Sequence, residues 1–107
     1  MHTKMKSACF TIAFGAILAL ASVLTACAPS YDGEKLFFSV GCSQCHYFKG
    51  RGGEMAPDLT AVTNNRSDSW IDSYIQDPSK IYPLSRMPSF KHLSHAERKA
   101  IIAFLKK

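Results

Sequence analysis

Cys42-Ser43-Gln44-Cys45-His46 constrains this chain more than any other stretch of it. Two thiols three residues apart, followed at once by an imidazole, form the C-x-x-C-H run through which c-type haem is attached. Each thiol can add across one haem vinyl group, and the histidine then lies where it can bind the iron as proximal ligand. A chain with this run has to fold around a flat apolar plate fixed at three points. The run also implies export, one covalent haem c and the movement of electrons.

Two other uses of paired cysteines compete with that reading. A thioredoxin-like C-x-x-C opens a helix after a strand in a βαβ unit. Here a short amphipathic helix pattern precedes the motif, with no strand-like alternation. A zinc site needs four N or S ligands, which Cys42, Cys45, His92 and His95 could supply. That set has a gap of 46 residues between Cys45 and His92 and leaves His46 without a task.

The 107 residues suit one small domain, and the first 26 are not expected to be part of it. Met1 to Ser7 carries Lys4 and Lys6 with no acid, and Ala8 to Leu24 is apolar with only Ser and Thr as polar breaks. These are the charged and apolar regions of a secretory signal, with an uncleaved membrane anchor as the rival. Leu24-Thr25-Ala26-Cys27 resembles a bacterial lipobox, with Thr25 where Ser or Ala is more usual. The expected division is therefore a removed signal over residues 1–26, a lipidated Cys27 with a linker over 27–31, and one domain over 32–107. Plain secretion is the remaining alternative.

The four cysteines agree with this division. Cys9 leaves with the signal, Cys27 takes lipid, and Cys42 and Cys45 take haem, so no thiol is left for a disulfide. Loss of Lys4 and Lys6 reduces 13 basic residues to 11 against 8 acidic ones, and the net charge falls from +5 to +3. The remaining basic residues are scattered rather than striped, which argues against nucleic acid as a partner. The mature chain, 107 − 26 = 81 residues, is near the size at which one apolar core struggles to be stable alone. A buried haem supplies the missing apolar bulk.

Along the mature chain, Ala28-Pro29-Ser30 is a short linker spanning roughly 10 Å. Asp32 to Val40 reads as a first helix, with Leu36, Phe37 and Val40 at helical spacing and Gly41 at its end. Tyr47 to Gly53 reads as a solvated, flexible loop, or as a docking patch through Lys49 and Arg51. Ser67 caps a second helix to about Gln76, with Trp70, Ile71 and Tyr74 on its apolar face and Asp77-Pro78 as its stop. Ile81 to Phe90 reads as an extended loop around Met87, between Pro83 and Pro88. Ser94-His95-Ala96-Glu97 is a capping box for a last helix whose face is Ala100, Ile101, Phe104 and Leu105.

Gly33-Glu34-Lys35-Leu36-Phe37, the haem motif, Ala56-Pro57-Asp58-Leu59, Trp70-Ile71, Asp77-Pro78 and Met87-Pro88-Ser89-Phe90 occur in the order of the class I (small monohaem) cytochrome c family. From about Asp32 to Lys107 the chain resembles that family. The resemblance implies an all-α fold, with three main helices around one covalent haem c. It implies His46 as proximal ligand and Pro57 as the residue whose carbonyl accepts the other ring N–H. It places Gly33 and Phe104 where the first and last helices cross, and Phe37, Leu59 and Trp70 against the haem. Ala56 stands where the family commonly has Gly. Met87 is the expected sixth ligand: it lies in a proline-bounded loop 41 residues after His46, and its Met-Pro context matches the family. Met55, His92 and His95 are the other candidates.

Iron with His and Met in both axial positions has no open site for oxygen or a small-molecule substrate. The expected role is outer-sphere electron transfer between redox protein partners, not catalysis. A periplasm-facing lipoprotein on the inner or outer membrane, carrying electrons alone, is the first expectation. A haem subunit of a larger membrane or periplasmic oxidoreductase is the second, and a haem-based sensor the third.

Overall fold

Asp32 starts the first helix by accepting a hydrogen bond from the Lys35 N–H at 3.1 Å, satisfying one of the donors a helix start leaves over. This computed structural model describes residues 28–107; the signal expected over residues 1–26, and Cys27, lie outside the described residues. Helix α1 runs Gly33–Ser39 and closes on Val40. Gly41, at φ +96°, turns the chain into α2, the single turn Cys42–Cys45 that carries the haem motif. A side chain at Gly41 would be strained there.

The stretch read as a flexible loop is a hairpin instead. Strands β1 (Tyr47–Phe48) and β2 (Arg51–Gly52) pair antiparallel, with Tyr47 opposite Gly52 and Phe48 opposite Arg51. Lys49 and Gly50 take φ +45° and +88°, the two positive values a two-residue type I′ turn needs. Arg51 then pairs with Glu34 at 2.9 Å and lies over the Phe38 ring at 4.0 Å, and Lys49 Nζ donates to the Lys107 carbonyl. These cations tie the hairpin to both ends of the fold.

Downstream, α3 (Val62–Asn65) is one turn that the sequence pattern did not indicate. Ser67 caps α4 (Asp68–Gln76) through the Trp70 N–H, as expected. Its buried residues are Ile71 and Ile75; Trp70 and Tyr74 are half-buried beside them. Pro78 ends α4 and also begins α5 (Pro78–Ile81), since a proline at the first helical position needs no N–H partner. Residues 82–93 are irregular apart from turns. Ser94 and Glu97 form the expected reciprocal box at the start of α6 (His95–Leu105).

Helix α6 packs against α1 and α4, and the core lies between them. Gly33 is the point of closest approach: a Cβ there would lie 2.6 Å from the Ala100 carbonyl carbon and 3.1 Å from Phe104 Cβ. Phe37, expected against the haem, is fully buried among Phe38, Phe48 and Phe104, with ring centroids 5.3–6.0 Å away. None of its surface remains for another group, so its place is the α1–α6 crossing. Arg98 is buried as well. Its Nε donates to Asp72 at 2.8 Å and its Nη1 to the Leu93 carbonyl at 2.6 Å, joining α6 to α4 and to the segment before it. The fold is the small helical one expected, with the hairpin added.

Candidate haem-attachment site

The site is built on α2 and on the strap that follows the hairpin. Gly53 N–H donates to the Ser43 carbonyl at 2.9 Å, Ala56 N–H to Cys45 at 3.0 Å and Leu59 N–H to Tyr47 at 2.9 Å. Three backbone hydrogen bonds thus lace residues 53–59 to the motif and to Tyr47 after it. Gly53 permits the approach: a Cβ would fall 3.0 Å from the Gln44 carbonyl carbon and 3.3 Å from Cys45 Cα. Asp58 accepts the Thr60 N–H at 2.7 Å, and its hydrogen bonds with Thr60 hold the carboxyl below its ordinary value.

The strap brings the Pro57 carbonyl to 2.7 Å from His46 Nδ1. A carbonyl only accepts, so Nδ1 carries the proton and donates it. The lone pair is left on Nε2, as a metal-binding imidazole requires. Ala56 has no positive φ, so its replacement of the family's Gly costs no backbone strain.

Cys42 and Cys45 are half-buried free thiols on the one-turn helix, and the His46 N–H closes on the Cys42 carbonyl at 3.0 Å. Burial pushes the Cys42 thiol up to about 11, outweighing the hydrogen bond that favours its thiolate. A haem bound here would be held through the two sulfurs, with His46 beside them to face its iron.

Leu59, Val62, Trp70 and Met87 are half-buried against the core, and Tyr82 and Leu84 in the loop after α5 are 52% and 95% exposed. This much apolar surface fits a chain that covers an apolar plate. Met87 N–H donates to Ser85 Oγ at 3.3 Å, which fixes its backbone. Met55 is 86% exposed. His92 and His95 are exposed near the start of α6, where His95 Nδ1 lies 3.5 Å from Asp72. Among the described residues no three His, Cys, Asp or Glu side chains converge to hold a metal ion. Cys42 and Cys45 therefore do not gather His92 and His95 into a zinc site. The motif also follows a helix, not the strand of a βαβ unit. The sequence reading missed the Tyr74–Ser85 and Arg98–Asp72 pairs, whose partners lie 11 and 26 residues apart.

The family model described as Cytochrome c matches residues 30–107, nearly all of the described chain. No curated protein matches.

Proposed function

The chain belongs to the cytochrome c family, and from that membership we propose that it is a one-electron carrier of the cell envelope with His46 and Met87 as the axial ligands of its iron. Members of the family bind covalent haem c through a cysteine pair, here Cys42 and Cys45, and that group supplies the one-electron couple when bound. The protein's own residues determine how the couple is used. Pro57 holds the His46 ring with Nε2 as the ligating atom. Met87 offers a soft thioether, which favours ferrous iron and raises the potential above that of a bis-histidine site. Leu59 and Trp70 supply apolar walls that limit water. With both axial positions taken by protein, electron exchange with redox protein partners is the chemistry left.

The observation that carries the ligand assignment is the contrast between the two methionines of the described residues. Met87 is packed against the core with its N–H hydrogen-bonded, whereas Met55 is 86% exposed. The lipobox-like run before Cys27 supports a lipid anchor, with residues 28–30 as a short tether to the bilayer. A periplasm-facing lipoprotein follows from the two together. No helix among the described residues is long and apolar enough to cross a membrane.

A redox titration of the membrane-extracted protein tests this reading. One reversible one-electron step is expected, with a ferrous spectrum that carbon monoxide changes only slowly, because Met87 has to leave the iron first. A ferrous spectrum that carbon monoxide shifts at once overturns the carrier reading in favour of an open-site sensor.

A further inference from the structure

Met87 lies in a loop whose two sides are held to α4 in different ways. Downstream, the Phe90 N–H donates to the Ile75 carbonyl at 3.0 Å, Ser89 Oγ donates to the Gln76 carbonyl at 2.7 Å, and the Phe90 ring is buried. Three separate contacts fasten that side. Upstream, the Ser85 hydroxyl serves two partners. It accepts the Met87 N–H at 3.3 Å and lies 3.1 Å from the Tyr74 hydroxyl. Tyr74 is itself set by its neighbours: it stacks on Trp70 at 4.9 Å with planes 9° apart, and Tyr82 meets it edge-on at 6.0 Å. The Ser85 N–H closes a turn onto the Tyr82 carbonyl at 2.8 Å. Among the described residues, Tyr74–Ser85 is the hydrogen-bonded link between α4 and the stretch from Tyr82 to Met87.

We propose that Ser85, seated by Tyr74, is a positioning residue that sets how readily Met87 leaves the sixth coordination position. The inference rests on the assignment of Met87 as that ligand. Swinging Met87 away requires the upstream side to open, because the downstream side keeps its backbone bond and its buried ring. Opening separates the Tyr74 and Ser85 hydroxyls, which are partly buried and so cannot be fully compensated by water. One such hydrogen bond changes an opening equilibrium by about fivefold.

The test is the rate at which carbon monoxide binds the ferrous, haem-loaded protein, since entry requires Met87 to leave. Ser85→Ala is expected to bind about fivefold faster, and Tyr74→Phe roughly two- to fivefold faster. Ser85→Thr, which restores the hydroxyl, should stay within about twofold of the starting protein. Ser89→Ala should do the same, because Phe90 still holds its side. The double variant of Tyr74→Phe and Ser85→Ala should be no faster than Ser85→Ala, as both act through one hydroxyl. An unchanged rate in Ser85→Ala, or an equal acceleration in Ser89→Ala, overturns the proposal. If Ser85→Ala does not fold, Tyr74→Phe against Ser85→Thr decides. Met87→Ala separates the two levels of the argument. If it loses the far-red sulfur–iron band while Ser85→Ala is unchanged, only the role of Ser85 falls; if it keeps the band, the ligand assignment falls and this inference with it.

Discussion

Replacing Gly33 by alanine should unfold the protein at a markedly lower temperature, and the reason is a backbone contact. The new Cβ would overlap the Ala100 carbonyl oxygen and lie 2.6 Å from its carbon, where carbon atoms prefer about 3.5 Å or more, so α1 and α6 must part by at least about 1 Å. Because the clashing group is main chain, no rotamer change at position 100 relieves it. A radial gap of that size forfeits about half of the dispersion well for each contact at the crossing, which includes Phe37 against Phe104. Overpacking of this kind costs about 3 kcal/mol, and the better helix propensity of alanine returns less than about 1 kcal/mol. A net loss of about 2 kcal/mol lowers the midpoint of a domain this size by roughly 8–16 °C. Gly50→Ala is the matched control: its φ is +88°, yet nothing lies within 4 Å of its Cβ position, so only backbone strain of about 1 kcal/mol is added. Thermal unfolding of the ferric, haem-loaded variants, followed by far-ultraviolet circular dichroism, makes the comparison. A midpoint for Gly33→Ala within about 2 °C of the starting protein, or above that of Gly50→Ala, refutes the crossing argument.

Arg98→Met keeps the aliphatic stem but leaves Asp72 and the Leu93 carbonyl without their donor, and should cost about 2–3 kcal/mol in urea unfolding. A loss below about 0.5 kcal/mol would show that water replaces the guanidinium. Ser94→Ala should lose about 1 kcal/mol by removing the helix cap. The Ser94 N–H holds the Glu97 carboxyl below its ordinary value of 4.5, so the contribution of Glu97 is present above pH 4.5 and is lost as pH falls below it. Glu97→Gln should therefore flatten the acid limb of the stability curve, and an unchanged limb would contradict the sign. Cys27→Ser should leave the haem attached but move the protein out of the membrane fraction or leave it uncleaved. Intact mass that still includes residues 1–26 in the unsubstituted membrane protein would instead favour an anchor.

The parts of the fold that were legible in the sequence are those fixed by neighbours along the chain. Ser67 and the Ser94–Glu97 box each cap within three residues, and each appears where its pattern placed it; Asp32, read as the first residue of α1, is its cap. The haem motif is local in the same sense, whereas the Pro57 carbonyl, 11 residues from His46, was placed by the family resemblance. The hairpin was misread because glycine and base suggest a solvated loop. Its turn depends on two consecutive positive φ values, and its hold on Glu34, Phe38 and Lys107 crosses the whole chain. Asp77-Pro78 was half legible, since the same proline that stops α4 is suited to start α5. Phe37 was placed against the haem by the family resemblance, whereas its ring packs with Phe104 at the α1–α6 crossing, a contact between residues 67 positions apart that helical spacing does not reveal. Arg98 carried no local mark of burial, because its partner Asp72 lies 26 residues away.

The far-red absorption of the oxidised protein, measured before and after Met87→Ala and Met55→Ala, tests the central claim most directly. A weak sulfur-to-iron band is expected in the unsubstituted protein and in Met55→Ala, and is expected to vanish in Met87→Ala together with a fall in potential and a gain of carbon monoxide binding. A band that survives Met87→Ala and disappears in Met55→Ala would contradict the account at the residue on which it depends.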